Sequence, residues 1–111
     1  MIQDNDIIYN IMDKKKLNKI AAQLRGLRNS GGIKSRELES IAKSLGRKQH
    51  SRGSEPTWIS TEFPSQRPLS IPHHSKELNR NTAGQILDQL EDDIECHRLM
   101  LELETEEGEN V

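Results

Sequence analysis

One cysteine, three aromatic rings, four prolines and no long apolar run set the first limits on this chain of 111 residues. A lone Cys96 cannot build an internal disulfide framework or a cysteine-rich zinc site. Tyr9, Trp58 and Phe63 are too few to form an aromatic platform for nucleic-acid bases, and Trp58 reads better as the anchor of a small core. The apolar stretches are only a few residues long, so a membrane span is not expected. The opening MIQDNDIIYN carries two acids and no basic leader, so neither is a secretory signal. These absences together give a cytoplasmic protein as the expectation. Leu, Ile, Val and Phe number 25, enough for one small core but not for a second domain, a Rossmann sheet or a barrel.

Charge is present in quantity and unevenly placed. Residues 14 to 52 hold twelve Lys or Arg against two Glu, whereas Asp88 to Val111 holds ten acids and one Arg98. A segment so basic is an electrostatic footprint for a polyanion such as RNA. The competing reading is that the two segments lie against each other and neutralise internally.

The hydrophobic spacing divides the chain. Residues 1 to 12 mix Ile2, Ile7, Ile8, Tyr9, Ile11 and Met12 with Asp4, Asn5 and Asp6, and read as a weakly ordered arm. Leu17, Ile20, Ala21, Leu24 and Leu27 recur every three or four residues, one apolar helix face that Asn29 to Gly32 ends, so 13 to 30 reads as an added helix. A second helix is predicted from Ser35, whose hydroxyl can cap it, with Leu38, Ile41, Ala42 and Leu45 inward and Gly46 as terminator. The basic run RKQHSRGSE then leads into a strand at 57 to 61. Phe63 to Pro68 reads as a turn, and Leu69 to Ile71 as a third short strand that Pro72 either ends or places at an edge. From Thr82 a long helix is predicted by Ile86, Leu87, Leu90, Ile94, His97 and Leu101, with 105 to 111 a disordered acidic tail. The fold class is α+β: an antiparallel sheet covered on one face by helices, with an extra N-terminal helix. The long helix runs past what a three-stranded sheet requires. Its outer half is left to the added helix, to a second copy of the protein, or to another partner.

Two segments gather small and ionisable residues at strand edges: His50-Ser51-Arg52-Gly53-Ser54-Glu55, and Pro72 to Leu78 within IPHHSKEL, followed by Asn79-Arg80-Asn81-Thr82. A glycine-serine pair after a helix and basic strand, a short hairpin, an apolar strand ending in IPHHSKEL and a helix led by Asn-Arg-Asn-Thr resembles the HicA family of toxins over about residues 33 to 92. The resemblance implies a fold like the double-stranded-RNA-binding domain over 31 to 104. It also implies metal-independent messenger-RNA endonuclease activity, no cofactor, and silencing by a HicB-like antitoxin. The chain departs from the family where a catalytic histidine normally follows the Gly-Ser pair: that position is Glu55, followed by Pro56. Such a protein either cleaves RNA with an altered site or is a non-enzymatic RNA-binding or partner-binding module.

Metal-free RNA cleavage needs a base for the 2′-hydroxyl proton, a cation for the phosphate and an acid for the leaving oxygen. Imidazole suits the first and third because its pKa lies near neutrality. Glu55, held ionised by Arg52 and Lys48, could accept a proton but is a weaker base, or it is a salt-bridge partner. His50 is the candidate substitute, otherwise an exposed polar residue. His73 and His74 point to opposite faces if extended, so His74 with Lys76 is taken as a phosphate contact, or else as part of the turn into the last helix. Lys34, Arg36, Lys43, Arg47, Lys48 and Arg52 make up the rest of the expected RNA-binding surface. It needs no aromatic platform, because RNA helices are read through backbone and 2′-hydroxyl contacts. His50, His73, His74 and Cys96 show no metal-binding spacing.

Overall fold

The computed structural model describes residues 12–50, 56–73 and 76–109, with side chains to 104. Of the expected arm at 1–12, residues 1–11 lie outside these, as do the last two residues, whereas Met12 packs against the core. Helix α1 spans Lys14–Asn29, capped by Asp13, whose carboxylate accepts from the Lys16 amide at 2.7 Å. Leu17, Ile20 and Leu24 are its buried stripe. At Gly32 the chain turns with φ of 72°, a conformation that favours glycine, and the Glu77 carboxylate lies where a Cβ would stand.

Helix α2, Ser35–Ser44, buries Leu38, Ile41 and Ala42. Its cap differs from expectation. Lys34 is the capping position, and the Glu37 carboxylate reaches back to its amide at 2.9 Å. Ser35 is already inside the first turn, and its buried hydroxyl donates instead to the Pro72 carbonyl, tying the helix to the end of the sheet. Gly46, at φ 93°, ends the turn after α2.

Strands β1 (Arg47–His50), β2 (Thr57–Ser60) and β3 (Leu69–Ser70) form an antiparallel sheet in the order β1-β2-β3. Arg47 stands opposite Ser60, Gln49 opposite Trp58, and Trp58 opposite Leu69. Residues directly opposite share a face, so Arg47, Gln49, Ser60, Trp58 and Leu69 share one side, and all but Gln49 are buried. Lys48, His50, Thr57, Ile59 and Ser70 fall on the open side. Helix α3, Arg80–Glu109, starts two residues before Thr82 because the Asn79 side chain accepts from the Asn81 amide at 2.8 Å and so serves as cap. It continues beyond 104 to Glu109, through acids that are good helix formers. No helix of the described residues is long and apolar enough to cross a membrane.

Ala83, Ile86, Leu87, Leu90 and Ile94 of α3 join Trp58, Leu69, Ile71 and the α1 and α2 stripes in one core. The first of the three expected covers for the outer half of α3 is therefore realised: α1 packs on it. The charge contact is made by Arg28, which reaches Asp88 at 2.7 Å and Glu91 at 3.2 Å, rather than by the lysines of α1. Leu99, Met100 and Leu103 stay exposed.

The sheet, the 61–68 connection and α3 meet at one buried ion pair. Arg47 donates through Nε and Nη2 to the two Asp93 carboxylate oxygens at 2.6 and 2.9 Å, with both side chains almost wholly buried. Its Nη1 donates to the carbonyls of Trp58 (2.8 Å) and Arg67 (3.1 Å), and Gln66 donates to Asp93 at 2.9 Å. Removing one member leaves a charge buried without its counter-ion. Arg47→Ala or Asp93→Ala is therefore expected to lower unfolding free energy by ~3–5 kcal/mol in urea titrations, and Arg47→Met with Asp93→Leu by less than either single change. A loss under ~1 kcal/mol for the single changes, the scale of an exposed pair, would contradict this account.

Candidate nucleic-acid interface

The cations expected to form one surface are divided by the fold. Arg47 is not part of it: it occupies the covered side of β1 and its guanidinium is taken up by Asp93 and two carbonyls. The acidic helix does neutralise part of the basic stretch, and it does so through arginine. Arg28 is held protonated more firmly than usual, first by its bond to Asp88 and then by the field of Glu91, although burial works the other way.

Lysines behave differently. Lys43, the last but one residue of α2, and Lys48, the second of β1, project to solvent and flank the corner where α2 passes into the sheet. The Lys43 ammonium lies 5.8 Å from the centroid of the Trp58 ring, near enough for a cation–π attraction to hold it there. Trp58 is a core residue, 1% exposed, as its β-rich neighbourhood predicts. Lys34 lies at the opposite end of α2, about 13 Å along a helix of this length. There its backbone bridges to Glu77, and exposed Lys76 precedes that glutamate. Arg36 is exposed on the first turn of α2. Of the cations expected at the surface, Lys43 and Lys48 thus stand at one end of α2 and Lys34, Arg36 and Lys76 at the other.

His50 is exposed at the end of β1, opposite Thr57, and shares the open side of the sheet with Lys48. The Ile71 amide donates to the Pro56 carbonyl at 3.3 Å, so the end of β3 lies beside the residue that follows Glu55. Glu55, Arg52 and His74 themselves fall outside the described residues. His73, exposed, has its Nδ1 3.3 Å from a carboxylate oxygen of Glu39 on α2. That pair joins residues 34 positions apart, and the sequence holds no local signal for it.

Two groups on α3 are set aside from surface chemistry. His97 is buried, with Nε2 3.0 Å from the Leu45 carbonyl and its ring edge-on to Phe63 at 4.8 Å. A carbonyl only accepts, so Nε2 carries the hydrogen and donates it. Nδ1 faces Glu62 at 3.6 Å. Burial pushes the Cys96 thiol pKa up, and the negative fields of Asp93 and Asp92 push it further. A raised pKa leaves less thiolate, the reactive form, at any pH below it. Alkylation of Cys96 by iodoacetamide at pH 8 is expected to run several-fold slower in the folded protein than in urea, and an equal or faster folded-state rate would contradict the raised thiol pKa.

Among the described residues no group of three or more His, Cys, Asp or Glu could hold a metal ion. No family model, no curated protein and no solved structure matches the chain.

Proposed function

We propose that this chain is a HicA-like protein of a toxin–antitoxin pair that binds RNA through lysines and cleaves messenger RNA without a metal ion. Its working edge is the sheet end that carries His50 and leads to Glu55. The element order supports the reading: α2, three antiparallel strands and α3, with both helices on one side of the sheet, is the order that a double-stranded-RNA-binding-domain-like fold requires. The observation that carries it is the division of charge. Arg28 and Arg47 are consumed by acids of α3, whereas Lys43 and Lys48 point outward with no ion pair among the described residues. Internal neutralisation therefore removes only part of the basic stretch, and what is left faces solvent.

Glu55 at the histidine position favours a second reading, a non-enzymatic module that keeps the fold and binds RNA or a protein partner. Exposed Leu99, Met100 and Leu103 on α3 support a protein contact there, with a HicB-like antitoxin or a second copy.

Incubation with a long messenger RNA in EDTA separates the readings: fragments are expected from the enzyme, and a mobility shift of intact RNA from the binding module. Glu55→His is expected to raise cleavage. An unchanged rate in that variant, with RNA still bound, would remove position 55 from the chemistry. With three to four phosphates neutralised, affinity is expected to fall about 20- to 150-fold between 50 and 200 mM salt through counterion release, and a flat response would overturn the RNA reading.

A further inference from the structure

The corner between α2 and β1 opens into a cleft of about 400 Å³, and three lysines from three elements line it: Lys16 of α1, Lys43 of α2 and Lys48 of β1. Arg47 reaches its floor, but that guanidinium is already bonded to Asp93 and two carbonyls. Glu62 is the opposing carboxylate, half exposed and 3.6 Å from the His97 imidazole. Three lysines against one glutamate, with Arg47 already paired, leave the lining residues net positive. Met12 and His97 add apolar and aromatic surface beneath them.

The contrast with other cations sharpens the point. Arg28, Arg47 and Arg98 each have a carboxylate within 3.2 Å, whereas none of the three lysines has an ion pair among the described residues. Like charges gathered from separate elements repel one another, and an anion between them relieves that repulsion. Lysine ammonium is a point charge suited to a phosphate oxygen approached from varied directions. With Lys43 steadied over Trp58, one of the three donors is already placed.

We infer that this cleft seats a backbone phosphate of bound RNA and that Lys16 supplies one of its three donors. On this account the added helix belongs to the nucleic-acid surface as well as to the packing of α3. The inference rests on the RNA-binding reading and names where α1 enters it. A phosphate contact carries no base information, so Lys16 acts on affinity and salt dependence without altering sequence preference.

The test is fluorescence anisotropy of a labelled 20-base-pair RNA duplex with the full chain and its variants across a salt series. Lys16→Ala is expected to weaken binding about five- to tenfold near 100 mM salt and to lower the magnitude of the salt slope by about one. Lys16→Arg should keep affinity within about twofold, and Lys15→Ala, exposed on the same helix outside the cleft lining, should do the same. Thermal unfolding of each variant confirms that folding is intact. If Lys16→Ala binds like the wild type with an unchanged slope while Lys43→Ala and Lys48→Ala lose affinity, the role of α1 is overturned and the RNA reading stands. If the wild type shows no affinity for the duplex or for single-stranded RNA at low salt, both fall.

Discussion

The Arg47–Asp93 pair is the constraint around which the domain is arranged. An arginine at the first position of β1 would normally be solvated, yet here its guanidinium closes onto an acid in the middle of α3 and onto carbonyls from β2 and the connection that follows it. Four chain segments are thereby fixed to one another at a point where an apolar contact would have set only proximity. Four of the five N–H donors of the planar fork meet an acceptor, so the pair constrains the angle at which α3 crosses the sheet as well as its distance. A buried pair is weak evidence of net stability against a hydrophobic alternative. What it supplies is a single allowed arrangement, since any shift of α3 along its axis would strand a charge.

The same interaction explains how an acidic helix and a basic segment coexist without cancelling. Guanidinium groups are planar, weakly hydrated and able to bind carboxylates bidentately, so they go inward and pair; ammonium groups are strongly hydrated and stay at the surface. Arg47 follows the first course, Arg28 pairs with its acids while staying at the surface, and Lys43 and Lys48 follow the second. A formal charge balance over the chain conceals this sorting, because it counts both kinds of cation alike.

Periodicity made the helices legible. Leu17, Ile20, Leu24, Leu38, Ile41, Leu87, Leu90 and Ile94 are all buried, because a stripe repeating every three or four residues has one way to leave water. Helix limits were harder. Lys34 rather than Ser35 takes the capping position, and Asn79 brings α3 forward to Arg80, since several neighbouring polar residues can satisfy the first amides equally well. The candidate site was only half legible. In the polar run Arg47 to His50 no apolar residue reports which side is covered, so Arg47 reads as surface until Trp58 and Ser60 fix the register opposite it. The contact of His73 with Glu39, and the cleft that Lys16 and Lys43 both line, join distant positions, and a linear pattern cannot bring them together.

Trp58 holds the last consequence. It is the chain's single tryptophan, its indole nitrogen is buried with no hydrogen-bond partner among the described residues, and a lysine ammonium stands above its ring. A dry indole emits at short wavelength, and a cation over the ring perturbs its excited state. The protein therefore contains its own optical gauge: one indole, excitable apart from Tyr9, in register with both the integrity of the core and the electrical state of the α2–β1 corner, needing no attached dye to report on either.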